Sequence, residues 1–522
     1  VTDAVPDPVT DALADAVTDA VTNGAPEPAA PAADAVAPAA PPAADTTLDL
    51  LLAPEAAARF WRARALAPLR SGRTRRTSLR LSWHDAPTGE LARGGTVLLR
   101  VEEPDRSAWH RQLLARDGAA IWPLGHPPPL LDAPVMEAAG PPPPFAVFEG
   151  HRRRLGLAPG GAVSEVALLE GTLTAGAVAP VAQLSLRGTP AAVLELARAL
   201  LEELPLTVSE AGLAGLAWRA AGGGGSGPRP PLLREDLDVD DAFCHVVAQL
   251  AATIVHHAPA ARAAHGMEPV HQMRVALRRL RSALSLFRKL AGGPELDRAR
   301  RDLAGLARAL GPARDWDVFL GGTGREVARL LPEEPAVKRL VAAAGRRRRL
   351  AYEELARVLD DKDFQRLLLG LIELALVRPW RGEAAAAGLA QDRPRLIAFA
   401  RRALDRKLRQ VSGAGEDLSP LAAAELHAVR IRCKRLRYAA ELFVPLAPAK
   451  ATRRFLRRLS AVQERLGELN DGAVAAGLLA DLGSRGFAAG IVHGYLAART
   501  AGARAKAERS WRKLRRADPF WQ

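Results

Sequence analysis

The sequence predicts a mixed α+β, multidomain chain: a domain of short strands followed by an all-α half built by tandem duplication. Three observations carry this. Between residues 46 and 220 apolar residues alternate in short runs broken by Gly and Pro. From about residue 235 they recur every three or four positions in Ala-, Leu-, Arg- and Glu-rich segments. Within that helical half the sequence matches itself at one constant offset, 156 residues. A chain of 522 residues, 48% apolar, has room for three or four cores at the usual ~150 residues each.

Residues 1–45 hold eight acidic residues, no basic and no aromatic one, and end in a Pro/Ala-rich run. Too little apolar surface is available there to offset ordering entropy, so a disordered acidic tail is predicted. It either only solvates or competes with the true ligand for the basic half. Residues 46–220 form the strand domain, with Ser78–Trp83 and Thr96–Val101 as alternating strands. Pro190–Leu204 reads as a helix with its proline in the first turn. Residues 221–234 are a Gly-rich then Pro-rich linker. From 235 to 522 the pattern is helical, with breakers at Gly292-Gly293-Pro294, Gly321-Gly322 and Ser412–Pro420.

The charge is uneven. Residues 241–522 hold 52 Lys and Arg against 29 Asp and Glu, a net of +23, within a chain of net +15. The helical half should attract polyanions. Two cysteines, Cys244 and Cys433, exclude a disulfide scaffold and a Cys-based zinc cluster. No apolar run approaches the ~18 residues of a membrane span. No secretory leader is legible. A soluble, reducing, cytoplasmic setting is the expectation, although the chain does not begin with Met and a leader lost before residue 1 stays open.

The repeat carries the chemistry. His271, Arg274, Arg278 and Arg281 match His427, Arg430, Lys434 and Arg437 at the same offset, and Leu310-Gly311, Asp315 and Val318 match Leu466-Gly467, Asp471 and Val474. At ~100° per residue each quartet falls on one narrow helical stripe, opposite Met273, Leu277, Leu280, Leu284 and Phe287 in the first copy. Cys433 takes the place of Leu277 and reads as a core residue. A charged stripe is ordinarily a solvated face. Here carboxylates at i+4 are nearly absent, like charges one turn apart repel, and the arrangement occurs twice. These features favour a ligand. For His271 and His427, capping or packing, donation to an anion, and metal ligation all stay open, the last least favoured because no second ligand lies at metal spacing. Asp315 and Asp471 follow a Leu-Gly pair, which predicts helix starts, and read as caps or partners of an internal Arg rather than catalytic acids.

The motifs VHQMRVALRRLRSALSLF (270–287), LGPARDWDV (310–318), LHAVRIRCKRLRYAAELF (426–443) and LGELND (466–471) resemble the CHAD domain, the conserved-histidine α-helical domain. The resemblance covers roughly 240–520. It implies two pseudo-symmetric four-helix bundles with a basic groove between them. It also implies binding of inorganic polyphosphate, at polyphosphate granules, on His271, Arg274, Arg278, Arg281, His427, Arg430, Lys434 and Arg437.

CHAD domains often follow a CYTH domain, an antiparallel β-barrel whose tunnel holds a triphosphate and a divalent metal. Parts of 46–220 are similar to it: Trp83-His84-Asp85-Ala86-Pro87 with Leu91, Gly95–Arg100, Ser164–Leu168 and Glu202–Leu206. The family's catalytic groups are missing. Thr47-Leu48-Asp49-Leu50-Leu51 keeps one carboxylate of the opening motif and no lysine, Arg100 is followed by Glu102 in place of a second Arg, Gln183–Arg187 lacks the metal carboxylates, and no lysine precedes Lys289. A metal-dependent triphosphatase needs clustered carboxylates and several cations. The resemblance therefore implies a degenerate CYTH-like barrel, with no catalytic residues, no metal site and no cofactor. The leading expectation is a non-catalytic polyphosphate-binding protein. Nucleic-acid binding through the same stripes is the alternative, disfavoured because only Tyr438 offers a stacking aromatic and no nucleic-acid-binding signature is present. A CYTH-type triphosphatase is the third. Oligomeric state is not legible.

Overall fold

The computed structural model describes residues 45–85, 90–93, 95–113, 124–125, 142–209, 212–223, 233–382, 395–484, 486–500 and 502–521. Of the predicted acidic tail only Asp45 falls among them, and most of the predicted linker at 221–234 lies outside them.

The N-terminal half is one antiparallel sheet of β1 (Thr46–Leu52), β2 (Arg75–His84), β3 (Thr96–Glu103), β4 (Arg106–Leu113), β5 (Leu124–Gly125), β6 (Pro144–Arg154), β7 (Val163–Ala175), β8 (Ala177–Gly188) and β9 (Leu206–Val208). Hydrogen bonding follows the path β4-β3-β2-β6-β7-β8-β1-β5, with β9 added to β1. Among the described residues no pairing joins β4 to β5, so the sheet expected to close as a barrel is open along that path. The alternation that predicted strands sorts side chains to two faces. Leu48, Leu50 and Leu52, with Leu168, Leu184 and Leu186, pack on helix α1 (Pro190–Glu203) and on the helical half beyond it. Leu79, Leu81, Trp83, Val97, Leu99 and Phe148 pack on α2 (Gly212–Ala220). Gly150 and Gly171 face each other across β6 and β7. A Cβ on either would lie 2.2 or 2.3 Å from the opposite strand's carbonyl oxygen, so only glycine fits this crossing.

The helical half comprises α3 (Val239–Arg262), α4 (Glu268–Phe287), α5 (Pro294–Gly321), α6 (Thr323–Leu330), α7 (Pro335–Asp360), α8 (Lys362–Leu376), α9 (Leu396–Ser412), α10 (Ala423–Leu442), α11 (Ala449–Asp481), α12 (Phe487–Thr500) and α13 (Ala503–Arg515). The 156-residue offset maps α3, α4 and α5 onto α9, α10 and α11. It maps α7 onto α12 and α13 together, because Gly502 at φ +74° breaks the second copy's helix where Arg346 continues the first. None of these helices is long and apolar enough to cross a membrane.

A second expectation is corrected. The Leu310-Gly311-Pro312 stretch was expected to form a turn with Asp315 starting the next helix, but α5 runs through it and Asp315 is mid-helix. Leu306, Leu310 and Ala313 continue one buried stripe across the break, and their packing outweighs the hydrogen bond that Pro312 removes. Asp471 likewise lies within α11, although its side chain is outside the described residues.

The two halves share a core. Helix α8 packs on α3 and α5 and also on α1 and β9. Arg198 makes a bidentate pair with Glu373 at 3.0 and 2.6 Å, Arg366 pairs with Glu202 at 2.6 Å, and the buried Gln365 accepts the Val208 amide at 2.9 Å. Leu368→Ala, at a residue 1% exposed in that core, is expected to cost about 2–5 kcal/mol. Denaturant curves followed by helical circular dichroism and by tryptophan fluorescence should shift together; movement of the helical signal alone would show that the halves unfold separately.

Candidate functional site

Both stripe helices bury the face that the periodicity assigned. On α4 these are Met273, Ala276, Leu277, Leu280, Leu284 and Phe287, and on α10 Leu426, Val429, Cys433, Leu436 and Ala440. Cys433 is fully buried, and desolvation pushes its thiol up to about 12, as expected for an inert core residue.

Helices α4 and α10 pack against each other, which brings the two stripes together. His271, Arg274 and Arg278 on α4, and Arg430, Lys434 and Arg437 on α10, are half-buried, whereas Arg281 and His427 are exposed. Tyr438 lies between the stripes: the guanidinium carbons of Arg278 and Arg437 sit 5.5 and 5.6 Å from its ring centroid. Arg274 and Arg430 rest against equivalent glycines. A Cβ at Gly311 would lie 3.8 Å from Arg274 Nη1, and one at Gly467 the same distance from Arg430 Nε and Nη2. The glycine of each Leu-Gly pair therefore seats a guanidinium on the neighbouring helix.

The electrostatics report the same convergence. Burial, and then Arg430, Arg278, Arg437 and Arg274, push the Lys434 ammonium down to about 8. Burial, with Arg314, Arg278 and Arg274, lowers His271 to about 4 against the opposing pull of Glu268, so its imidazole is neutral at neutral pH. Among the described residues its buried Nε2 finds no hydrogen-bond partner, nor does Arg278 Nε. Arg274 and Arg314 are also lowered, chiefly by burial. These cations crowd together beside the α4–α10 contact.

Two carboxylates do enter. Glu441 accepts from Arg279 of α4 at 3.3 Å and pairs with Arg437 at 3.0 Å, one turn away on its own helix. It clips the twin helices together and is an i+4 carboxylate among helices where such residues are nearly absent. Asp315 faces Arg274 and Arg314; burial raises its pKa and the two guanidiniums oppose that rise. This agrees with its reading as the partner of an internal Arg.

Sequence reasoning missed Arg314, Asp317, Arg348 and Tyr352. Arg314 sits on α5, electrostatically coupled to both His271 and Arg278. Behind it Asp317, 1% exposed, accepts from Arg348 Nε at 2.6 Å and from the Tyr352 hydroxyl at 2.8 Å. Burial and the Asp317 contact raise the Tyr352 pKa. A search for matches between the copies passes over these residues because the positions of Arg314 and Asp317 are Asn470 and Ala473 in the second copy. The run Arg346–Arg349 was the available signal.

In the sheet, several polar side chains on the face that carries Asp49 are paired within the domain. Ser185 donates to Asp49 at 2.5 Å, Gln183 accepts the Leu213 amide at the start of α2 at 2.7 Å, Arg154 pairs with Glu165 at 3.1 Å, and Arg152 pairs with Glu103. The strand register sets Arg100 and Glu102 on the face opposite Asp49, so those positions do not converge with the opening motif. Among the described residues no three His, Cys, Asp or Glu side chains group as a metal site.

Residues 245–480 match the family model described as the CHAD domain. Two uncharacterised proteins from Mycobacterium tuberculosis strains are 29% identical over 254 residues, which is 48% of this chain and 45% of theirs. The chain thus spans about half the length of the curated relatives it matches. The crystal structure of a CHAD domain from the plant Ricinus communis is 30% identical, covering 56% of this chain and 98% of that one, with a TM-score of 0.48. A Hippeastrum structure described as having a dominant triphosphatase activity is 12% identical, over 34% of this chain and 96% of that one, with a TM-score of 0.25.

Asp317→Ala would leave Arg348 without its buried acceptor, while the Tyr352 hydroxyl keeps the Gly266 carbonyl at 3.1 Å. Breaking such a buried pair is expected to cost about 3–5 kcal/mol. Chemical denaturation checks this, and a loss within about 0.5 kcal/mol would show that the network is not structural.

Proposed function

The chain belongs to the CHAD domain family, and from that premise we propose that it is a non-catalytic inorganic polyphosphate-binding protein. One observation carries the proposal: Arg274 and Arg278 of α4 meet Arg430, Lys434 and Arg437 of α10 in one half-buried group of five cations, on which, among the described residues, Asp315 and Glu441 bear. Such a group is electrostatically unfavourable when empty and favourable around a polyanion. A flexible phosphate chain along the two stripes would accept charge-assisted, partly bidentate hydrogen bonds from the guanidiniums. Arg281 and His427, exposed on the same stripes, would extend the track, and the neutral His271 would act as a donor rather than as a cation. Arg437, already paired to Glu441, would contribute least among the arginines.

Against a nucleic-acid reading, the site offers one aromatic, and Tyr438 is covered by Arg278 and Arg437 rather than open for base stacking. Against a triphosphatase reading stands the internal pairing of Asp49, Arg152, Arg154 and Glu165. Residence at polyphosphate granules follows from the same proposal and is checked by imaging a tagged chain in cells with and without granules.

Replacing Arg274, Arg278 and Arg281 together by Gln leaves the apolar stripe of α4 intact, so the fold should survive. At about 1.5–3 kcal/mol per charge-assisted contact, polyphosphate affinity should fall by roughly 100-fold or more. By analogy with counterion release from nucleic acids, the dependence of log affinity on log salt should flatten by about two units. Wild-type binding by a folded triple variant at every salt concentration would reduce the stripe to a solvated face. Competition by duplex or single-stranded nucleic acid at matched salt should be weaker than by polyphosphate of equal charge.

The sheet domain is expected to leave tripolyphosphate and ATP intact with Mg²⁺ or Mn²⁺. Phosphate release that disappears on changing Glu165 would assign turnover to it.

A further inference from the structure

Glu441 stands in the last turn of α10, one turn beyond Arg437. A carboxylate there opposes the helix dipole, so its place is supported by the two arginines that reach it. Its two contacts differ in kind. Arg279 Nη2 of α4 donates a hydrogen bond to Oε2 at 3.3 Å, across the seam between the twin helices. Arg437 Nε lies 3.0 Å from Oε1, yet that nitrogen makes no aligned hydrogen bond, so this arm is a charge contact alone. Arg437 is otherwise held by a long donation from Nη1 to the Ser460 hydroxyl at 3.4 Å and by the Tyr438 ring, 5.6 Å from its guanidinium carbon. A guanidinium held this way keeps donors for a second anion. The Glu441 and Arg437 side chains are 18% and 27% exposed, so solvent screens their pair little. At the equivalent place in the first copy stands Ser285, exposed, one turn beyond an exposed Arg281.

We propose that Glu441 is a resident competitor of the ligand: its carboxylate and an arriving polyphosphate contend for Arg437, while Arg279 keeps the carboxylate on the seam. This role rests on the polyphosphate reading. A phosphate oxygen offers Arg437 the aligned, charge-assisted acceptor that Glu441 does not. Taking it breaks one ion pair to form another, so Arg437 returns only part of the affinity its charge can supply. The retained carboxylate then stands one turn from the bound anion with like charge. Glu441 thus sets how tightly the strip holds its ligand, from one of the two equivalent positions.

A clip and a competitor differ in sign. If Glu441 only held α4 on α10, removing either member of the seam pair, Glu441 or Arg279, would loosen the strip and lower affinity alike. As a competitor, Glu441 frees Arg437 when its charge is lost, and affinity rises. Loss of Arg279 does the reverse, because it leaves the whole carboxylate to Arg437.

The test uses the full chain and long-chain polyphosphate, titrated calorimetrically over a salt series. Glu441→Gln should bind about tenfold more tightly, the worth of one charge-assisted contact. Its salt slope should steepen by about one unit, by the same analogy with counterion release. The gain should vanish when Arg437 is absent: in an Arg437→Gln background, adding Glu441→Gln should leave affinity within about twofold. Arg279→Gln should bind no more tightly than the parent. Ser285→Glu sets a carboxylate one turn beyond Arg281 at an exposed position and should weaken binding several-fold, which keeps the test open where Glu441→Gln does not fold. Equal or weaker binding by folded Glu441→Gln, a gain that survives in the Arg437→Gln background, or parental binding by Ser285→Glu overturns the competitor role and leaves the polyphosphate reading standing. Absence of polyphosphate binding by the parent overturns both.

Discussion

Two helices that must bury an apolar face beside each other also bring their long cationic side chains together. This constraint organises the helical half. Leu277, Leu280 and Leu284 on α4 and Val429, Cys433 and Leu436 on α10 face the core, so Arg274, Arg278, Arg430 and Lys434 are left to share the strip beside the α4–α10 contact. Apolar burial stabilises each helix by about 1.5–3 kcal/mol per large side chain, enough to hold like charges closer than they would otherwise rest. Burial, and then the four neighbouring arginines, lower the proton affinity of Lys434. Gly311 and Gly467 seat two of the guanidiniums, and Tyr438 separates two more. Glu441 holds the helices together from the side.

Duplication made the two stripes, and divergence made them unequal. The first copy adds Arg314 beside the cations and the buried Asp317–Arg348–Tyr352 network behind it, where the second has Asn470 and Ala473. The second copy adds Glu441 where the first has Ser285. Helix α8 follows the first copy, and it is the element on which the sheet domain docks. Phe520, at the offset position of Phe364, packs on Phe455 near the end of the second copy. Support and docking thus gather on one repeat, while the charged strip is drawn from both.

The sheet domain is held in part by pairs between its own polar side chains. On the face that carries Asp49, Arg152 pairs with Glu103, Arg154 with Glu165, and Asp49 with the Ser185 hydroxyl. Gln183 has become the acceptor for the first turn of α2, which covers Leu79, Leu81 and Trp83. The domain's other face joins the helical core, so its structural role is continuous with that of the helices.

From sequence alone, periodicity placed the stripes, the buried faces and Cys433, and the 156-residue offset placed the twin helices, because both signals are local in the chain and repeat. Alternation likewise placed β2 and β3. The break expected at Leu310-Gly311-Pro312 was misread because the packing of Leu306, Leu310 and Ala313 lies outside any local window. Only the tertiary structure decided that the two stripes face each other, that Arg314 joins them, that Glu441 spans them, and that Arg100 and Asp49 lie on opposite faces of the sheet. Those relations depend on which helix packs on which and on the register carried across six strands. Periodicity says which side of an element is buried. It does not say what lies across from it, and proton affinity at Lys434 depends on that neighbour.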